Sequence, residues 1–233
     1  MNQQELSTRL ATVGAFVPEG AHLADIGSDH AYLPVALVLD KKIDFAVAGE
    51  VVQGPFTSAV NQVKKNNLSQ QITVRLASGL EAIIPEDEIT AITIAGMGGS
   101  LIRDILAQGQ ANNKLSGDER LILQPNIGEK TLRTWLMNES YEIIAERILE
   151  ENQKIYEVIV AEKVAQPINY SQEQLLFGPI LGKEKNAVFL KKWQRELKQR
   201  KHVLQQLSLA ETVPSGKVAQ VEAEIKQIEE CLA

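Results

Sequence analysis

The chain has 233 residues, 44% of them hydrophobic and 23% charged, enough apolar material for one large domain or one domain with an appendage. Its formal net charge of −6 argues against a protein that coats nucleic acid non-specifically. A single cysteine, Cys231, excludes an internal disulfide, the first residues lack the basic and apolar regions of a secretory leader, and the longest apolar run, Ala31–Leu39, is too short to cross a bilayer and contains Pro34. The expectation is a cytoplasmic protein with no membrane contact; the sequence does not fix the oligomeric state, a monomer being slightly favoured.

In chain order, a short helix is expected over Glu5–Phe16. Apolar, β-rich runs then alternate with helical patterns. His22–Ile26 runs into Gly27, Phe45–Ala48 ends at Gly49-Glu50, and Ile72–Leu76 reaches Ser78-Gly79. Ile89–Ala95 ends in Gly96-Met97-Gly98-Gly99, and Arg120–Leu123 leads to Gln124-Pro125-Asn126. Helical stretches such as Pro55–Asn66 and Ser100–Gln108 lie between them. Strand, glycine turn, helix, strand is the pattern of a parallel α/β sheet. Two further runs, Tyr141–Leu149 and Ile155–Ala161, are separated by too few residues for a crossover helix and must form an antiparallel hairpin. Five parallel strands followed by such a hairpin is the plan of a Rossmann-like class I methyltransferase sheet.

Beyond about residue 164 the texture changes to helix formers. Val218, Val221, Ile225, Ile228 and Leu232 step by three and four, as do Leu190, Trp193, Leu197, Leu204 and Leu207 with one slot missing. Two helices joined by Leu209–Gly216, with Pro214 and Gly216 as breakers, read as an antiparallel coiled-coil hairpin. The expected domains are therefore 1–164 and 165–233.

The richest motif runs from Asp25 to Pro34, where the first strand turns into the first helix and an open α/β sheet places its ligand. A dinucleotide binder needs a second glycine in this turn so that backbone can approach a pyrophosphate; Asp29 stands there instead. A carboxylate repels a diphosphate and attracts a ligand bearing ammonium and sulfonium groups, by about 4 kcal/mol at close range for an effective dielectric of about 20. That sign favours S-adenosylmethionine over a nicotinamide dinucleotide, although Asp29 is also a competent helix cap. The expected donor pocket takes Asp25, Gly27, Ser28 and His30 from this turn. Glu50 is placed at a ribose diol, and Ser78, Gly79 and Leu80 at the adenine. Ala95, Gly96 and Met97 are placed beside the transferable methyl, with Gly98, Gly99 and Tyr32 toward the acceptor. Asn126 is a second candidate for the chemistry after Asp29, since an amide both donates and accepts; it is equally suited to cap the next helix. The loop lacks the Asn-Pro-Pro-aromatic tetrad frequent among exocyclic-amine methyltransferases. His22, His30 and His202 have no Cys/His companions, so no metal site is expected.

From Lys183 to His202 there are eight Lys/Arg and two Glu, a local charge of +6 on a chain of −6. Lys191, Arg195 and Lys198 share a helix face and Lys192 flanks it. A solvated helix face is one reading; contact with RNA phosphates is the favoured one.

Together, the Asp25–Pro34 motif, Gly49-Glu50, Gly54-Pro55, Ile94–Gly99 and Gln124-Pro125-Asn126 resemble the bacterial TrmK family over nearly the whole chain. The resemblance implies methyl transfer from S-adenosylmethionine to N1 of adenine 22 in tRNA. It also implies that Leu6–Leu10 is the family's N-terminal helix, which puts Arg9 near the pocket mouth, there to meet a phosphate or to hold Asp29. An aspartate is expected where Ser78 stands, which shifts adenine recognition toward backbone. The rival readings are a nicotinamide-dependent oxidoreductase on the same fold and a non-catalytic RNA-binding adaptor.

Overall fold

The computed structural model describes residues 6–209 and 216–233, so Glu5, at the start of the expected first helix, and Pro214, in the expected hairpin turn, lie outside the described residues. The chain divides into two compact units, Met1–Tyr170 and Ser171–Ala233. This division falls later than the textural boundary at 164/165. Hydrogen bonds hold the intervening segment to the first unit: the Ile143 N–H donates to Tyr170 Oη at 2.9 Å, and the Tyr170 N–H meets Met137 Sδ at 3.2 Å.

In the first unit, α1 (Thr8–Ala15) precedes β1 (His22–Ile26), α2 (Tyr32–Leu39), β2 (Phe45–Glu50), α3 (Gln53–Lys65) and β3 (Ile72–Leu76). Then come β4 (Ala91–Gly98), α4 (Gly99–Ala111), β5 (Arg120–Ile127), α5 (Glu129–Asn138), β6 (Tyr141–Glu151) and β7 (Lys154–Lys163). The seven strands form one sheet in the order β3-β2-β1-β4-β5-β7-β6. β1 to β5 run parallel, whereas β7 is antiparallel to both β5 and β6. The sequence expectation of five parallel strands and a hairpin is met. The strand order reverses between β1 and β4, which opens a crevice at their carboxyl ends.

The central strands are buried on both faces, as a covered parallel sheet requires, and therefore read as continuous apolar runs. α2 contacts both α1 and α3, and α4 contacts α5, giving the two helical layers. In α2 every residue from Leu33 to Val38 is buried, so it behaves as a core helix rather than an amphipathic one. The β6–β7 turn is two residues, Asn152 and Gln153, both in the left-handed region that a tight hairpin demands. Behind the hairpin, the wholly buried Arg133 of α5 bridges Glu146 of β6 at 2.7 Å and Glu157 of β7 at 2.5 Å. The neighbouring glutamates hold the guanidinium well above its ordinary pKa against the cost of burial.

The second unit contains α6 (Gln172–Phe177), α7 (Leu181–Glu184), α8 (Ala187–Ser208) and α9 (Lys217–Leu232). Asn186 caps α8 by accepting from the Val188 and Phe189 N–H groups. Phe177, Phe189 and Trp193 form an aromatic core, with Phe177 edge-on to Trp193 at a centroid distance of 4.5 Å. α9 buries Val221, Ile225 and Ile228 at the expected spacing, with Cys231 rather than Leu232 fully buried at the end. Its pairing with α8 is reinforced by Arg200–Glu224 at 2.8 Å and Lys201–Glu229 at 2.6 Å.

Candidate active site

The turn after β1 is built from unusual backbone. Gly27, Asp29, His30 and Ala31 all have positive φ, and α2 starts only after Ala31, which offers no side-chain cap. Three consecutive non-glycine residues in the left-handed region are costly, and such strain survives only where neighbours over-determine it. Here Glu50, at the end of β2, accepts from the Asp29 N–H at 2.5 Å. Asp25 anchors the turn from below, accepting from Ser28 Oγ at 2.5 Å and Thr93 Oγ1 at 2.6 Å. Burial pushes both the Asp25 and Glu50 carboxyls above their ordinary pKa values. Asp29 does not cap α2. Its side chain is 78% exposed, and its carboxylate lies 3.4 Å from His30 Nε2.

Across the crevice, β4 and β5 fall out of regular register. Ala95 pairs with Gln124, Met97 with Pro125 and Gly98 with Ile127, so Gly96 and Asn126 are skipped. Gly96, at φ 82°, is therefore free of the ladder, and side chains satisfy its backbone instead. Its N–H donates to Gln124 Oε1 at 3.0 Å, and its carbonyl accepts from Asn126 Nδ2 at 2.7 Å. Gln124 is fully buried; its Oε1 also accepts from Arg9 Nη1 at 2.6 Å, while its Nε2 donates to Pro125 O and Asn126 Oδ1. The Arg9 guanidinium also lies over the Tyr156 ring, 5.6 Å from its centroid.

These two sides enclose a cleft of about 360 Å³. The residues expected from sequence at Asp25, Gly27, Ser28, Asp29, Tyr32, Ala95, Gly96, Met97, Asn126 and Arg9 all line it. Met97 Cε occupies the space over Gly27 that any Cβ there would need. Glu50, His30, Ser78, Gly79, Gly98 and Gly99 are not among the lining residues. Glu50 is nevertheless joined to the cleft through Asp29.

Several expectations change in the folded chain. Leu80 does not present its side chain to a ligand: it is 2% exposed and packs against Gly109 of α4, where a Cβ would lie 2.2 Å from Leu80 Cδ1. Gly99 answers to packing, since a Cβ there would meet the Gly128 carbonyl at 2.3 Å. Asn126 does not cap α5, whose N-cap is Gly128. Arg9 reaches Gln124 and Tyr156 rather than Asp29. Leu10 and Tyr156 line the cleft and were not singled out from sequence. Gln124 was read only as part of its tripeptide, although an amide at the end of the apolar run Leu121–Leu123 signals a buried group that must find partners. Nothing in the β7 pattern distinguishes Tyr156, because its pairing with Arg9 exists only in three dimensions.

In the second unit, Lys191 and Lys198 are exposed on α8, and Lys192 lies over the Trp193 ring at 5.5 Å. Arg200 and Lys201 are engaged by α9, so part of the basic stretch is neutralised within the helix pair. No helix among the described residues is long and apolar enough to cross a membrane. No group of three or more His, Cys, Asp or Glu among them is arranged to hold a metal ion.

Comparison with known proteins agrees with this geometry. The TrmK family model, described as tRNA (adenine(22)-N(1))-methyltransferase, matches residues 23–230. The tRNA (adenine(22)-N(1))-methyltransferase of Bacillus subtilis strain 168 is 51% identical over 221 residues, covering 93% of this chain and 92% of that protein. The crystal structure of the B. subtilis M1A22 tRNA methyltransferase TrmK superposes with a TM-score of 0.91 at 46% identity, covering 99% of this chain and 100% of that one. A Streptococcus pneumoniae protein solved in complex with S-adenosyl-L-methionine superposes with a TM-score of 0.89 at 44% identity, covering 98% and 100%. A class I methyltransferase sheet, an acid-lined crevice at its switch point and a match over almost the full length lead to one conclusion: this chain belongs to the TrmK family of tRNA (adenine(22)-N(1))-methyltransferases.

Proposed function

We infer that this chain transfers a methyl group from S-adenosylmethionine to N1 of adenine 22 in tRNA. The observation that carries the site assignment is the cleft between the β1 and β4 ends, with the buried Asp25 carboxylate on one wall and the Gly96 backbone on the other. A buried carboxylate raised in pKa by desolvation is a group that a cationic ligand relieves, which fits the ammonium and sulfonium of the donor. When bound, the donor supplies an electrophilic methyl on sulfur. Asp25, Gly27 and Ser28 hold its amino-acid end; Glu50 takes the ribose diol with its second oxygen; the backbone of Ser78 and Gly79 reads the adenine edge. Leu80 supports that turn from inside the core.

Adenine N1 is already a modest nucleophile. The chain must therefore bring the base out of its stack, at a cost of a few kcal/mol, and hold it in line with the methyl. Asp29, exposed at the cleft, orients the base by accepting from its N6 amine and offsets the positive charge that passes from the sulfonium to the ring as N1 takes the methyl. Both ends of the Asn126 amide are engaged, one by Gln124 and the other by Gly96, so it serves the site by position rather than by proton transfer. Arg9 and Tyr32 edge the acceptor side of the cleft. Lys191, Lys192, Arg195 and Lys198 contact tRNA phosphates from the second unit. A tRNA substrate implies a cytoplasmic place of work.

The test is transfer of labelled methyl to unmodified bacterial tRNA, with the product nucleoside identified by mass. 1-Methyladenosine at position 22 is expected, and a different methylated nucleoside would overturn the assignment. Asp29→Ala is expected to bind the donor and transfer slowly; transfer at the wild-type rate would remove Asp29 from the chemistry.

A further inference from the structure

β4 and β5 both lose register at the cleft, and the backbone released there is caught by side chains rather than by strand partners. Gln124 is the centre of that arrangement. A side-chain amide offers two acceptor sites and two donor sites, and Gln124 uses all four. Oε1 accepts from Gly96 N–H and Arg9 Nη1, and Nε2 donates to the Pro125 carbonyl and to Asn126 Oδ1. The bond to Asn126 fixes which way that amide faces, and so fixes Nδ2 toward the Gly96 carbonyl. One fully buried side chain thus holds both polar groups of the Gly96 residue, one directly and one through Asn126. It also ties α1 to the same point through Arg9.

We propose that Gln124 is the positioning residue of this methyl-transfer site, clamping the Gly96 backbone and docking Arg9 so that the acceptor wall stands ready before tRNA arrives. The proposal rests on the methyltransferase reading above. Gln124 is fully buried and does not line the cleft; it acts through Gly96, Asn126 and Arg9. Glycine at φ 82° has no side chain with which to hold its own conformation, so the wall would otherwise sample other backbone states. Glutamate cannot replace the amide, because a carboxylate would face the Pro125 carbonyl and Asn126 Oδ1 without a proton to offer either.

The experiment measures donor affinity by calorimetry and kcat and KM on unmodified tRNA for wild type, Gln124→Met, Asn126→Ala and the double variant. Misplacement of a reacting group by about an ångström costs on the order of a hundredfold in rate. Gln124→Met is expected to lose roughly tenfold to a hundredfold in kcat, with donor Kd changed less than about threefold. Asn126 is exposed, so its truncation leaves the fold intact and keeps the question open to test should Gln124→Met fold poorly. It is expected to show the same split, a fall in kcat with donor binding retained. The double variant is expected to be no slower than Gln124→Met, because both changes release one clamp. Wild-type kcat in Asn126→Ala, unchanged kcat in Gln124→Met, or losses that multiply in the double variant would each overturn the clamp alone. A wild-type chain that transfers no methyl group would overturn the methyltransferase reading and the clamp with it.

Discussion

The Asp29 N–H donates to Glu50 Oε1 at 2.5 Å, joining the strained turn after β1 to the end of β2. One Glu50 oxygen holds the left-handed run Asp29–Ala31 in place, and the proposed function gives its other oxygen to the ribose diol of the donor. Hydrogen bonds to a charged group are worth about 1.5–3 kcal/mol, an order of tenfold or more in affinity. Glu50→Gln keeps an oxygen for Asp29 but removes the charge. It should retain the fold, with thermal stability near wild type, and weaken donor binding roughly tenfold. Glu50→Ala should lose the donor and destabilise the turn as well. Calorimetry and thermal melts on the two variants separate the tasks; equal melting temperatures would show that the turn does not depend on Glu50.

The same carboxylates set a pH dependence. Burial raises the pKa of Asp25 and of Glu50 in the folded chain, so folding favours their protonated forms. Between the unfolded value, 3.8 for Asp25, and the raised folded value, the native state holds more protons, and stability from these groups falls as pH rises through that window. Asp87 works the other way. Its bonds to Arg75 and to the Ile84 N–H outweigh burial and hold its carboxyl low, so its contribution is present above the ordinary carboxylate range and is lost only in acid. A cationic donor favours the ionised forms of Asp25 and Glu50. Donor affinity should therefore rise with pH through their raised values, and binding should release protons. Calorimetry in buffers of different ionisation enthalpy measures that release, and Asp25→Asn should reduce it.

The strands and the ligand corner were legible because they rest on local rules. Apolar runs ending in glycine turns specify a covered parallel sheet, and a turn carrying Asp29 in place of a second glycine specifies the sign of the ligand. What could not be read is what tertiary contact decides. Leu80 looks like a residue offered to an adenine ring, yet Gly109 of α4 makes room for it in the core. Asn126 has the composition of a helix cap, but a register shift turns it toward Gly96 instead. Arg9 is separated from Gln124 by 115 positions, and no spacing rule connects them. The buried triad of Arg133, Glu146 and Glu157 is equally silent in sequence, where each residue passes for surface charge.

That triad makes a strong stability prediction. Removing one partner of a buried ion pair typically costs about 3–5 kcal/mol, because the remaining charge stays desolvated. Arg133→Met leaves two buried glutamates facing one another across β6 and β7. It should unfold the first unit at markedly lower denaturant concentration, with a loss of about 3 kcal/mol or more. Adding Glu146→Gln and Glu157→Gln to the same chain should recover much of that loss, since the buried charge is then gone. Denaturant melts of the single and triple variants check this, and a triple variant no more stable than the single one would show that packing of the guanidinium, rather than charge balance, is what matters.

The basic face of α8 predicts a salt dependence rather than a rate effect. Lys191 and Lys198 are exposed to solvent on α8, and Arg200 and Lys201 pair with Glu224 and Glu229 of α9. A lysine that meets a phosphate releases condensed counterions, so the logarithm of the tRNA association constant falls with the logarithm of salt in proportion to the number of such contacts. Replacing Lys191 and Lys198 with glutamine should weaken tRNA binding and flatten that slope by roughly one unit per contact removed. Donor affinity should not change, because neither residue lies in the first unit. Replacing Arg200 should act differently: it breaks the pair with Glu224, lowers the stability of the helix pair and leaves the slope nearly as it was. A slope unchanged by the lysine replacements would move the RNA contact away from this face. Filter binding across a salt series, with thermal melts alongside, distinguishes a phosphate contact from an internal ion pair on the same helix.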